Sequence, residues 1–310
     1  MRKTILTSKT ILTSILTLMV MILTVEGAGE LVRLVRLKLS AGDLASAVSA
    51  VEDYKEKNGV DAEYLDAVGW LARGAEMLKQ LDAAAAYVTE LRREIREEKS
   101  ETLSPLGAAI EVEGKLRAAR EGRGAAIRFL EVEFDRAKDV TLRSRIRRTI
   151  NLLSLEGQPA PDFNKTDFVG TEPPSLTALK GKPVLLFLWA HWCGDCRAQA
   201  GALIRVARKY RAQGLVVIAP TRYYGTGAES KPATPAEEKA HMAKVWAEFY
   251  SGLEGVPIPI DTEAMVRYGV SATPTFALID RKGVVRFYSP TRLSEAELSR
   301  RIEAVLTESP

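Results

Sequence analysis

The chain has 310 residues, 46% hydrophobic and 27% charged, with two cysteines and a formal net charge of +4. One core rarely grows past about 250–300 residues, so two domains are expected. The composition excludes a mostly disordered chain, a collagen-like fibre, a polytopic membrane protein and a disulfide-dense mini-fold.

The N-terminus comes first. Arg2, Lys3 and Lys9 precede an apolar stretch from Ile11 to Val25, broken by Thr13, Ser14, Thr17 and Thr24. A basic start followed by an apolar run of about 7–15 residues is the pattern of an export signal. Ala28 is small enough for a cleavage site, but Glu26 stands where a small residue is wanted. Residues 1–28 are therefore read as a signal peptide, cleaved or retained as a membrane anchor, with the remainder in the periplasm or cell envelope.

Residues 29–153 contain one proline, Pro105, and are rich in Ala, Leu, Glu and Arg, all strong helix formers. Apolar residues recur at helical spacing, as in Leu44, Ala47, Val48 and Val51, then Val68, Leu71, Ala75 and Leu78. Trp70, Gly74 and Ala85-Ala86 reappear 40 residues on as Ile110, Gly114 and Ala125-Ala126. The region is expected to be an all-α helical-hairpin domain; Leu106–Leu130 resembles a tetratricopeptide-type helix pair, in which small residues let helices approach closely. A spacer or dimerisation role is expected before a specific protein-partner groove. This region carries 22 basic and 22 acidic residues, and residues 154–310 carry 19 and 17. Neither has the basic excess of a nucleic-acid binder. The densest basic run (Arg136, Lys138, Arg143, Arg145, Arg147, Arg148) reads as a solvated helix face.

From residue 154 strands and helices alternate. Gly157–Phe163, with two prolines, marks the boundary. Val184–Ala190 is a continuous apolar run suited to a strand buried on both faces. A helix from about Cys193 to Arg211 follows, then a strand at Leu215–Ala219, a loop over 222–238 and a helix from about Pro235 to Tyr250. Phe276–Asp280 and Val284–Tyr288 form a hairpin about Lys282-Gly283, and Ser294 caps a last helix through Leu306. Crossover helices between buried strands give an α/β sandwich.

The two cysteines are Cys193 and Cys196, in Cys-Gly-Asp-Cys, after a buried strand and at a helix start. The thiolate is the nucleophile, and a free cysteine is mostly protonated at neutral pH. A helix N-terminus offers unpaired N–H groups and the positive dipole end, which favour the thiolate. So short a loop stabilises a fold little by chain entropy, and the pair is read as a redox-active disulfide rather than a staple. Cys193 would attack a substrate disulfide and Cys196 would resolve the mixed disulfide. No metal site is expected, because the chain adds only His191 and His241 to its two cysteines, and a structural zinc takes four ligands.

Trp189–Cys196 ("WAHWCGDC") resembles a thioredoxin-fold active site, and Thr273-Pro274-Thr275 resembles that fold's cis-proline loop. "PAPDF", "LKGKPVLLFLWAHWC" and "FALIDRKGVVRFY" are similar to the TlpA/ResA-type exported thiol–disulfide oxidoreductases. The resemblance runs from Gly157 to the end. It implies a thioredoxin-like sandwich, a central mixed sheet flanked by helices, over residues 154–310. It also implies a cis Thr273–Pro274 bond that presents the Thr273 backbone to substrate, a docking role for Trp192, protein disulfide or thiol substrates, an upstream envelope electron donor and no bound cofactor.

Two departures stand out. Thioredoxin's buried aspartate, six positions before the first cysteine, is here Phe187; the glutamate of related reductases, three positions after the second, is here Gln199. Neither accepts a proton, which leaves water, Asp195 or His191 to serve the second thiol. Asp195 should oppose thiolate formation, so a modestly activated Cys193 and a reductant are expected. His191 and His241 otherwise read as exposed positions. The loop 222–238, opened by Tyr223 and Tyr224, is expected near the active-site end of the sheet, with a bearing on substrate choice. The alternatives are a thiol peroxidase, whose Pro-x-x-x-Thr/Ser-x-x-Cys loop is missing before Cys193, and a helical scaffold with an incidental redox domain.

Overall fold

A computed structural model describes residues 29–307; the segment read as an export signal lies outside them. Among the described residues, no helix is long and apolar enough to cross a membrane. The chain divides into two compact units at Val112/Glu113.

The first unit is all helical. Helices α1 (Glu30–Ser40), α2 (Leu44–Asn58), α3 (Ala62–Met77) and α4 (Leu81–Glu94) lead into α5 (Leu103–Glu121), which runs across the division. Asp43 and Asp61 start α2 and α3 by accepting the Ser46 and Tyr64 N–H groups at 3.0 and 2.8 Å, satisfying donors that have no partner inside a helix. Val35, Ala47, Val51, Val68, Leu71 and Leu91 form the buried stripe. Gly74 lets α1 close in: a Cβ there would fall 2.4 Å from Leu39 Cδ2.

The second unit opens with the rest of α5, then α6 (Arg123–Arg136) and α7 (Val140–Ser154). Gly114, 40 residues after Gly74, receives Leu130 in the same manner, with Leu130 Cδ2 2.8 Å from a built Cβ. The repeat in sequence is not repeated in packing, since Gly74 meets an earlier helix and Gly114 a later one. The basic run is engaged internally: Arg147 forks onto Glu131 at 2.8 and 3.0 Å and, with Arg143, lies over the Phe134 ring.

Helix α7 belongs to this unit by direct contact. Asn151 Nδ2 donates to the Arg267 carbonyl at 2.9 Å, and the Tyr288 N–H donates to Glu156 Oε1 at 3.0 Å. At Gly269, with φ +64°, a Cβ would stand 2.4 Å from the Arg148 nitrogen. Only glycine lets the backbones come this close.

A four-stranded sheet follows in the order β3-β2-β5-β6, built from β2 (Val184–Leu188), β3 (Val216–Ile218), β5 (Thr275–Ile279) and β6 (Val285–Ser289). β3 runs parallel to β2, while β5 is antiparallel to β2 and to β6. The expected mixed sheet flanked by helices is present. Two short strands unmarked in the sequence, β1 (Phe168–Val169) and β4 (Ile258–Pro259), pair antiparallel. β2 is buried at every position because its alternating side chains face two cores. Leu185, Phe187 and then Trp189 pack with α8 (Gly194–Arg211), α9 (Pro235–Phe249) and α11 (Glu295–Thr307). Val184, Leu186 and Leu188 pack with α10 (Thr262–Arg267), Tyr268 and Tyr288. Trp189 leaves the ladder: its N–H turns to the Pro220 carbonyl at 3.2 Å and its indole N–H to that of Ala219 at 3.1 Å.

Candidate active site

β2 ends in a short turn that delivers Cys193 to the head of α8. Cys193 is the N-cap, and its sulfur accepts the Cys196 N–H at 3.0 Å. The two cysteines form a disulfide with their Cα atoms 5.2 Å apart. Cys193 is 4% exposed and Cys196 fully buried, so a substrate can reach only the first sulfur.

The opposite wall comes from the chain ahead of β5. The Thr273–Pro274 bond is cis, and the Thr273 carbonyl oxygen lies 3.4 Å from Cys193 Sγ. Trp192, 50% exposed, flanks the pair, its ring edge-on to Tyr224 with centroids 5.4 Å apart. Asp195 lies in the first turn of α8, exposed, facing Arg292 Nη1 at 3.4 Å. That guanidinium offsets the negative charge expected to oppose a thiolate at Cys193.

Both family departures are filled by packing. Phe187 is buried against Tyr250 and Phe276, at 5.7 and 5.4 Å between centroids. Gln199 is buried and clamps one residue at both ends: Nε2 donates to the Leu293 carbonyl, and Oε1 accepts the Leu293 N–H, each at 2.9 Å.

The histidines depart from expectation. His191 is fully buried, because α9 and the loop before it fold over it, and His241, on α9 itself, is half-buried. The two rings meet edge-on at 5.3 Å, and His191 also meets Tyr224 at 5.8 Å. Neither ring nitrogen of His191 has a hydrogen bond of good geometry. Burial holds its pKa below the ordinary value, with His241 and Arg197 acting in the same direction and Glu238 and the Thr226 carbonyl opposing. The imidazole is therefore neutral at neutral pH.

The group that sequence reasoning missed is Glu238. It sits in the first turn of α9, where an acidic residue after a Thr-Pro start reads as dipole compensation. Thr234 and Glu237 do form the capping box, but Glu238 turns inward and is 1% exposed. Its Oε1 accepts the Tyr224 N–H at 2.6 Å and its Oε2 the Gly225 N–H at 2.8 Å. Oε1 also lies 3.7 Å from His191 Nδ1. The capping box signals a helix start; only the fold of the loop shows which of two neighbouring glutamates is buried. Among the described residues there is no group of three or more metal-ligating side chains.

Residues 155–303 match the Redoxin family model. Over 149 residues, 48% of this chain and 79% of the relative, the chain is 32% identical to "Thioredoxin-like protein YneN" of Bacillus subtilis. It is 29% identical to "Thiol-disulfide oxidoreductase ResA" of Geobacillus thermodenitrificans over 48% of this chain and 77% of that one. A solved thiol:disulfide interchange protein of the thioredoxin family, from Chlorobium tepidum, is 21% identical over 48% of this chain and 97% of its own, with a TM-score of 0.38.

Proposed function

This chain belongs, through residues 155–303, to the thioredoxin-like thiol–disulfide oxidoreductases, and on that premise we propose that it reduces protein disulfides through Cys193 and Cys196. The reading rests on one observation. The marginally exposed Cys193 sulfur accepts a helix N-terminal N–H at 3.0 Å, with the cis-proline loop 3.4 Å away. That N–H and the dipole of α8 stabilise negative charge on this sulfur.

In the reduced protein the Cys193 thiolate attacks one sulfur of a substrate disulfide, forming a mixed disulfide while the other substrate sulfur leaves as a thiolate and takes up a proton. Cys196, one turn inside the helix, then gives up its proton to water and attacks Cys193 Sγ. The second substrate thiolate leaves and is protonated. The substrate has gained two electrons and two protons, and the protein is left with the Cys193–Cys196 disulfide. A dithiol donor in the cell envelope restores the dithiol. Trp192 and the Thr273 backbone dock the substrate. Asp195 and His191 take no step of their own here, one being exposed and held toward Arg292, the other enclosed with Glu238. The basic, then apolar, sequence of residues 1–28 supports action outside the cytoplasm.

The test is a trap. Cys196→Ser should accumulate mixed disulfides through Cys193 that dithiothreitol releases, whereas Cys193→Ala should form none and fail to reduce insulin. Insulin reduction that survives Cys193→Ala would overturn the reading.

A further inference from the structure

Glu238 is a carboxylate held out of water at 1% exposure, an unfavourable position unless its oxygens are satisfied. The satisfying groups are specific. Two consecutive backbone N–H groups, of Tyr224 and Gly225, each donate to one oxygen, with Gly225 in the left-handed region at φ +75°. Successive N–H groups converging on one anion form a backbone cradle. The usual direction of such a cradle is inverted here: the anion is the chain's own side chain, and what it fixes is the loop. His191 closes the other side, its Nδ1 3.7 Å from Oε1.

The residue held at this point is Tyr224. Its ring is edge-on to His191, edge-on to the half-exposed Trp192, and lies under the Arg222 guanidinium at 4.8 Å. The loop is tied down at a second place, where the Tyr223 hydroxyl and Lys239 Nζ both donate to Asp167 at 2.8 Å. The loop thus carries an aromatic ring to the tryptophan that flanks the reactive sulfur, and the buried Glu238 side chain keeps it there.

We infer that Tyr224 is a specificity-determining residue, forming with Trp192 an aromatic wall for the side chain next to the attacked cysteine of a polypeptide, and that Glu238, backed by His191, is the positioning residue that sets it. The substrate class is a polypeptide disulfide with an aromatic residue beside that cysteine. Aromatic pairs prefer edge-on or offset contact, and the pair formed by Trp192 and Tyr224 offers both a face and an edge. This rests on the proposed disulfide reduction.

The experiment compares two disulfide-linked peptides that differ only in Phe or Ser beside the attacked cysteine, with hydroxyethyl disulfide as a substrate that has no side chain to dock. The intact protein should show a KM for the Phe peptide at least fivefold below that for the Ser peptide. Tyr224→Ala should erase this preference by raising KM for the Phe peptide, with kcat and the hydroxyethyl disulfide rate within about twofold of the parent. Tyr224→Phe should keep the preference. Glu238→Gln, whose amide accepts one of the two N–H groups and opposes the other, should weaken it through KM alone. If Tyr224→Ala slows hydroxyethyl disulfide as well, Tyr224→Leu, which keeps apolar bulk, decides by the same preference. A preference unchanged in Tyr224→Ala, or in Tyr224→Leu where that variant decides, overturns the inference while leaving disulfide reduction intact. A parent protein that reduces none of the three overturns both.

Discussion

His191 is enclosed by Glu238, His241 and Tyr224, the Arg197 guanidinium donates to its backbone carbonyl at 3.0 Å, and burial holds its imidazole below the ordinary value of 6.5. In the unfolded chain the same group titrates at that ordinary value. Between the two values the unfolded chain binds a proton that the folded chain does not, so acidification favours unfolding throughout that window. Stability should be unaffected by this group above about pH 7.5 and should fall as the pH drops through about 6.5. The fall continues until the pH passes the folded value. Thermal midpoints of the protein and of His191→Gln check this: from pH 7.5 to 5.5 the parent should lose more than the variant, and equal losses would contradict it. The cysteines, Trp192 and the Thr273-Pro274 step were legible in the sequence because each carries a local signal. The burial of His191 was not, because the two elements that cover it come 30 to 50 residues later in the chain.

At the scale of elements, the sheet was legible because the cross-strand pattern is written in apolar runs: β2, β3, β5 and β6 lie within a residue or two of their expected places. β1 and β4, two residues each, and the six-residue α10 are too short for any period to show. The packing of α7 on the loop after α10 was equally hidden, since it turns on one glycine. At Gly269 a methyl group would meet the Arg148 nitrogen at 2.4 Å and its Cα at 2.5 Å. These are backbone atoms of a helix and cannot swing aside as a side chain can. Gly269→Ala is expected to cost more than about 2 kcal/mol, from the left-handed φ and the displaced helix together. A lower urea midpoint at unchanged slope measures it. Gly74→Ala should cost less, because the atom in the way is a leucine methyl.

For the whole molecule, length leads to an expectation of two domains, and contacts divide the chain into two compact units at Val112/Glu113. The expected change of domain at residue 153–154 follows the shift from helix-forming to strand-forming residues, and composition cannot show which neighbour a helix packs against. With α7 bonded through Asn151 and fitted against Gly269, we propose that the smallest stable redox unit includes it. A fragment of residues 139–310, which keeps Asp139 as the cap of α7, should melt cooperatively and above a fragment of residues 155–310. Equal melting temperatures would place the functional boundary at the end of α7 instead.

The half-exposed Trp192 has one more consequence. It is one of four tryptophans in the chain, and the only one directly beside a cysteine of the redox pair. A neighbouring disulfide drains the excited state of an indole, while a pair of thiols does so far less. The emission of this residue is therefore expected to follow the state of the sulfurs, rising when dithiothreitol reduces the pair; an emission spectrum unchanged by reduction would contradict it.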